Sequence, residues 1–378
     1  MRSQTQPMSP FDRRLLTHLN WSLLLLALLL FSLGVINLYS ASSLRGETGL
    51  TTVSFYHKQI IWGLIGLMGL VFCSSFDYRH LRSLAWPLYW LSLSLLALVM
   101  FTGESIYGAA RWIDLGIFHF QPTELAKLSC LLLASLILTR TPGLLAWSDL
   151  SKILAIIAPL VGFIILQPDL GSGLNILLIV GGMMFYHGIK SHVLIVLALT
   201  LPILMPLGWF GLQDYQRERI LTFLHPESDP LGAGYNILQS QIAIGSGQTW
   251  GKGFLEGTQS QLRFLPEKHT DFVLAVFGEE WGFVGSALLL SLFCLFLYQI
   301  MLVIQDSKDR FGHYLSVGVF FYFFWQITIN MGMVLGLLPV VGIPLPFLSY
   351  GGTSTLINFC FLGLALNVSM RRFVFKAD

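Results

Sequence analysis

The residues best suited to chemistry lie in one stretch, Gly257 to Gly282, where Arg263, Glu267, Lys268, His269 and Asp271 fall within nine positions. An apolar run begins directly behind them and already contains Glu279 and Glu280. A carboxylate held in such a place can take a proton from a hydroxyl, and cations beside it can hold an anion. Asp271 stands where a helix cap would, but the His269-Thr270 pair before it can do that duty, which leaves its carboxylate for other work. Asp271 is the candidate catalytic residue.

A second group of charges lies at the ends of apolar runs: Arg111, Asp114, Glu124, Lys127 and Asp169. Glu124 and Lys127 are three apart and share one helix face. Pro122 suits a first helical turn and places Glu124 near its positive end, and Pro168-Asp169 repeats the arrangement. Lys127 lies a turn deeper, where capping does not explain it. A charge inside an apolar span is costly and is expected to face a cavity or a partner. Glu279 and Glu280, about 12 Å along the helix from Asp271, are expected to pair with a buried base such as Lys127 or Arg111. Gly245-Ser246-Gly247 and Gly251-Lys252-Gly253 offer free backbone N–H groups that would cradle an anion; plain loop flexibility is the competing reading.

The elements that position these groups follow from composition. The chain has 378 residues, 54% hydrophobic and 11% charged, where a soluble protein would be about a quarter charged. Apolar runs of about 17 residues or more predict ten transmembrane helices near 19–39, 58–75, 83–102, 122–139, 151–167, 169–187, 190–211, 271–304, 312–336 and 352–370. The expected fold is an all-α polytopic membrane protein, a single domain over 1–378 with one long extracytoplasmic loop, 212–270. The first run follows Arg13 and Arg14 and is too long for the apolar core of a signal peptide, so it reads as an uncleaved helix. With the N-terminus inside, thirteen Lys and Arg fall on the cytoplasmic side and four in or beside the short outer loops. Both termini are therefore expected inside.

The four cysteines lie in apolar runs and make neither a disulfide framework nor a zinc spacing. The net charge of +2 is spread thinly and gives no nucleic-acid surface. Gly336 to Gly352 carries three prolines and no charge. Irregular apolar backbone at a membrane edge must be buried in protein or line a cavity, with Ser349, Tyr350 and Thr353 as its polar contacts.

The runs His225–Gly282 and Gly336–Ser354, together with Gln167-Pro168-Asp169-Leu170-Gly171, Arg111-Trp112-Ile113-Asp114-Leu115 and Gln121-Pro122-Thr123-Glu124-Leu125-Ala126-Lys127, resemble the SEDS family (shape, elongation, division and sporulation). Gly257-Thr258-Gln259-Ser260-Gln261 and Leu265-Pro266-Glu267-Lys268-His269-Thr270-Asp271-Phe272 follow the elongation branch, RodA, rather than the division branch, FtsW. The resemblance implies a peptidoglycan glycosyltransferase of the bacterial inner membrane that polymerises lipid II into glycan strands. Its essential acid corresponds to Asp271, and its outer-cavity Arg, Glu and Lys fall on Arg111, Glu124 and Lys127. A class B penicillin-binding protein, other elongation-complex proteins and membrane lipid are the implied partners. Asp271 would be the base for an inverting transfer, which needs no second carboxylate as nucleophile. The leaving diphosphate calls for positive charge from Lys127, Arg111, Arg217 or Lys268, or from a divalent cation, Mg or Mn, whose site the sequence does not reveal. The expected substrate-binding residues are Arg111, Glu124, Lys127, Asp169, Arg217 and Lys268. A lipid II flippase and the division-type paralogue are the competing readings. A transporter would place its ionisable groups near the bilayer midplane, whereas these charges lie on one side.

Overall fold

Long apolar runs can satisfy their backbone in a membrane only as helices, and the chain folds accordingly. The computed structural model describes residues 17–42, 55–102, 104–106, 109–114, 116, 119–229, 232–262, 264, 265 and 267–373. The helices are α1 (Trp21–Ser42), α2 (Phe55–Ser75), α3 (Leu81–Thr102), α4 (Pro122–Arg140), α5 (Trp147–Leu166), α6 (Leu170–His187) and α7 (Ser191–Gly211). After them come three short helices, α8 (Asp214–Leu224), α9 (Ala233–Ser246) and α10 (Thr258–Gln261), and then α11 (Val273–Asp306), α12 (Arg310–Val334) and α13 (Gly352–Met370). Among the described residues nine of these are long and apolar enough to cross a membrane. The tenth, α7, is 21 residues long and holds Pro202 and Pro206. The chain is a multi-pass membrane protein, and α4, α12 and α13 are its most enclosed spans.

The Gln167–Gly171 joint is a true turn between α5 and α6, with Asp169 capping α6 through Ser172 N at 3.2 Å. The segment between α3 and α4 departs from the all-helical pattern. It forms a small antiparallel ribbon of β1 (Glu104–Ile106), β2 (Ala109–Asp114) and β3 (His119–Phe120). Ile113 pairs with Phe120 and Asp114 with His119, and Asp114 accepts a bond from Gly116 N at 2.8 Å to close the turn. These strands are too short to show as a period-two pattern in the sequence.

The apolar run predicted over 271–304 is a helix broken at Gly282 (φ 64°, ψ −161°). The loop after α9 splices into the break: Phe283 N donates to Gln248 O at 2.8 Å, Lys252 N to Glu279 O at 3.0 Å and Gly253 N to Glu280 O at 3.1 Å. Of the glycine amides expected to cradle an anion, that of Gly253 holds the broken helix, while those of Gly247 and Gly251 bond to Ile244 O and Gly247 O within the loop. A Cβ on Gly282 would lie 2.3 Å from Gly251 N, and its dihedrals belong to a region essentially reserved for glycine. Gly282→Ala is expected to lower the thermal midpoint of the purified protein markedly, whereas Gly181→Ala, which meets open space, is expected to leave it near wild type.

The same break accounts for Glu279 and Glu280, and corrects the pairing expected for them. Glu279 binds Lys252 at 2.7 Å, Gln259 N at 2.9 Å and Ser260 N at 3.2 Å. Glu280 accepts a hydrogen bond from Ser40. Among the described residues neither meets Lys127, and the side chain of Arg111 lies outside them; both glutamates fasten the 252–261 loop and α1 to α11.

The segment between α12 and α13 is irregular and buried, as its composition requires. Leu345, Phe347 and Leu348 are almost fully enclosed, and Phe347 stacks on Phe323 and meets Phe296 and Phe359 edge-on. Gly34 lets α1 pass so close that a Cβ there would lie 2.4 Å from Phe347 O. Side chains satisfy the exposed backbone: Asn330 donates to Ile343 O at 2.8 Å, and Gln59 to Ser349 O at 3.2 Å.

Candidate active site

Four helices begin at one end of the bundle around a single cavity. Gln121, Glu124 and Lys127 line it from the start of α4, Asp169 and Ser172 from α6, Thr270 and Asp271 from the turn before α11, and Gly351 to Ser354 from α13. Each helix start carries partial positive charge and unpaired N–H groups, so the cavity is built to receive an anion. Trp112 and Tyr350 supply aromatic walls. Its volume, about 200 Å³, is below the roughly 300–1,000 Å³ of pockets that enclose a whole small molecule. It has room for a reacting centre, with the remainder of a large substrate outside.

Asp271 is partly buried at this cavity, and its carboxylate accepts no hydrogen bond among the described residues. Its backbone is fixed instead: Asn330 Nδ2 donates to Asp271 O at 3.0 Å. Helix α11 begins two residues later with Phe272 at the cap position, so capping makes no claim on the carboxylate. Burial pushes its carboxyl up from an ordinary 3.8 to about 6, Glu267 adds repulsion in the same direction, and Arg219 opposes both. The adjoining His269 ring stacks on Phe55 at 4.0 Å, and His269 O accepts from Tyr350 N at 2.8 Å. These contacts tie the Asp271 turn to the start of α13. Burial lowers the pKa of His269, which favours the neutral ring packed in that stack.

Lys127 and Glu124 form a buried ion pair at 2.7 Å, with side chains 3% and 4% exposed. Lys127 has three donors and gives one to Glu124 Oε1. The second carboxylate oxygen of Glu124 is buried without a partner, a costly arrangement unless something else uses it. Asp169 accepts from Ser172 N at 3.2 Å and from Gln121 Nε2 at 3.5 Å.

The structure thus brings together Asp271, Glu124, Lys127 and Asp169 and leaves other expected residues apart. Arg217 donates to Trp209 O and Phe210 O, both at 3.1 Å, and closes the end of α7. Lys268 donates to Ser260 O at 2.5 Å and does not line the cavity. The backbone of Arg111 runs in β2, but its side chain lies outside the described residues, as does Arg263. Arg219, passed over in the sequence, is the cation that acts on Asp271. Residues two apart on a helix point to roughly opposite faces, so Arg217 and Arg219 cannot do the same work, and no signal in the sequence tells which faces inward. Arg219→Ala is expected to move the acidic limb of the activity profile to higher pH, and Glu267→Gln to move it lower. Profiles of initial rate against pH for the two variants check this.

Among the described residues no three His, Cys, Asp or Glu side chains gather to hold a metal ion. Two carboxylates at one cavity, Asp169 and Glu124 with its unpartnered oxygen, do suit an ion that takes its other ligands from phosphate and water, as Mg commonly does.

Comparison with known proteins agrees with this architecture. Residues 20–373 match the family described as cell cycle protein, FtsW/RodA/SpoVE. The peptidoglycan glycosyltransferase MrdB of Escherichia coli K12 is 37% identical over 358 residues, covering 94% of each chain. A probable peptidoglycan glycosyltransferase FtsW of Trichlorobacter lovleyi is 35% identical, covering 92% of each. Among solved structures, a chain from work on how a peptidoglycan synthase complex coordinates polymerization and crosslinking superposes with a TM-score of 0.80 at 34% identity, covering 94% of this chain and 98% of that one. The Thermus thermophilus rod shape determining protein RodA superposes with a TM-score of 0.68 at 30% identity over the same shares. With the family matched over nearly its whole length and the bundle shared with solved members, this chain belongs to the FtsW/RodA/SpoVE family, the SEDS proteins.

Proposed function

We propose that this protein is the elongation-type peptidoglycan glycosyltransferase, polymerising lipid II into β-1,4-linked glycan strands. One observation carries the reading: the Asp271 carboxylate, which accepts no hydrogen bond among the described residues, shares a cavity with the Lys127–Glu124 pair where four helix N-termini converge. The acceptor 4-hydroxyl oxygen attacks the anomeric carbon of the lipid-linked donor and forms the new C–O bond. Its proton passes to Asp271. The bond from the anomeric carbon to the diphosphate breaks, and the electron pair leaves with the diphosphate. Attack opposite the leaving group converts the α linkage of the donor into a β linkage in one inversion. The helix N-termini and Lys127 hold the departing anion in a site shielded from water, where such charges act strongly.

A divalent cation, Mg or Mn, belongs to this reading as a companion of the diphosphate, with Asp169 and Glu124 to hold it; when bound it neutralises charge on the leaving group. Chelation is expected to slow polymerisation, with Mg or Mn restoring the rate. Lys and Arg counts support the reading in which both termini lie in the cytoplasm and the cavity opens on the outer face of the inner membrane. A class B penicillin-binding protein, the transpeptidase that joins strands, is the proposed partner, by analogy with the solved synthase complex. The other elongation-complex proteins and the lipid tail groove belong to the same proposal.

The test is lipid II polymerisation by the purified full chain, with and without the transpeptidase. Glycan strands are expected. No strands in either condition, with lipid II still crossing vesicle membranes, would replace the transferase by a flippase.

A further inference from the structure

At the opposite end of α4 from the catalytic cavity lies a second concavity of about 480 Å³. Helix α4 spans 19 residues, about 28 Å, so the two sites face opposite membrane surfaces. The wall comes from Leu138 at the end of α4, the Thr141–Leu144 loop, His187 at the end of α6, and the α11–α12 junction with Lys308 and Arg310.

The neutral polar groups here already have partners. Thr141 Oγ1 donates to Ile137 O at 3.0 Å, and Ser307 Oγ to Ile304 O at 2.7 Å. His187 sits between Gly143 O at 2.9 Å and the Tyr314 hydroxyl at 2.6 Å. His313 Nδ1 meets Ile304 O at 3.1 Å. The one carboxylate, Asp309, is engaged by Arg82, by the Tyr78 hydroxyl and by Gly312 N. Among the described polar residues that line the hollow, only the two cations, Lys308 and Arg310, have neither a hydrogen-bond nor an ion-pair partner for their side chains. Whatever fills this hollow must bring negative charge.

The rim identifies the source of that charge. Leu144, 56% exposed, lines the hollow, and Trp147, 44% exposed, begins α5 three residues later. Tryptophan at the end of a spanning helix marks the headgroup level of a bilayer, and basic hollows between spanning helices are suited to anionic headgroups. We propose that this hollow binds the headgroup of an anionic phospholipid, with Lys308 and Arg310 on its phosphate and the exposed Leu144 against the start of its acyl chains. The site is separate from the catalytic cavity and does not depend on the activity assigned to it. A bound lipid there would bridge the α4–α5 and α11–α12 turns, joining two helices whose far ends carry Lys127 and the Asp271 turn.

The experiment uses the full chain in bilayers of phosphatidylglycerol and phosphatidylethanolamine, released into the mass spectrometer with its retained lipids. Wild type is expected to be enriched in phosphatidylglycerol. Lys308→Ala and Arg310→Ala should each reduce that enrichment about fivefold, while Lys308→Arg keeps it. Lys152→Ala, an exposed cation on α5 outside the hollow, should also keep it. An equal loss in Lys152→Ala would overturn the proposal by showing diffuse attraction to the membrane surface. So would displacement of the retained lipid by millimolar inorganic phosphate, which would make the site one for a free anion.

Discussion

Asp271→Asn is expected to lower the rate of lipid II polymerisation about 10²–10⁴-fold, the range general base catalysis contributes, with the protein folded. The amide keeps the shape and loses the ability to take the proton. The wild-type profile should identify the same group. Because the carboxyl lies near 6 rather than 3.8, the rate should rise about tenfold per pH unit below 6 and level off above it. Stability gives an independent readout with a definite sign. The folded-state pKa is raised, so between about pH 4 and 6 the folded protein binds more protons than the unfolded chain, and this group's contribution to stability falls as pH rises through that window. Above 6 a charged Asp271 is a burden to the fold, chiefly through burial and secondly through Glu267. Asp271→Asn should therefore melt no lower than wild type at neutral pH while making no strands. Equal polymer from both proteins would remove Asp271 from the chemistry and turn attention to Glu124 and Asp169.

How much of the cavity can be picked out from sequence depends on which forces acted locally. The ten helices follow from the cost of exposing backbone in lipid, which needs only runs of apolar residues, and their ends lie close to those expected. Glu124 and Lys127 were legible because helical spacing alone puts them side by side. Glu279 was not. Its partner Lys252 is 27 residues away and reaches it only because the chain splices into α11 at Gly282, a break that a continuous apolar run conceals. The glycines of that splice look like open amides for the same reason: the sequence offers donors, and only the fold shows the carbonyls that take them, Glu280 O for Gly253 and carbonyls of the loop's own turn for Gly247 and Gly251. The choice between Arg217 and Arg219 depended on the rotation of α8, which is too short and polar for its pattern to fix a buried face.

The Lys127–Glu124 pair offers the second large effect, and its parts can be separated. Removing one member leaves the other charged and buried without a partner, so Lys127→Met and Glu124→Gln are each expected to destabilise the protein by about 3–5 kcal/mol. The double variant removes both charges, and most of that loss should return, since attraction between buried ions rarely exceeds their desolvation cost by much. A thermal or denaturant series on the four proteins gives the coupling directly. Activity should not follow stability. If the pair served only to fill the bundle, the double variant would polymerise lipid II as well as it folds. Lys127, however, lines the Asp271 cavity and gives Glu124 one of its three donors, so the others remain for a leaving anion. The double variant is therefore expected to recover its stability and to remain inactive, with Lys127→Arg in the otherwise native chain restoring part of the rate by returning a cation to the same wall.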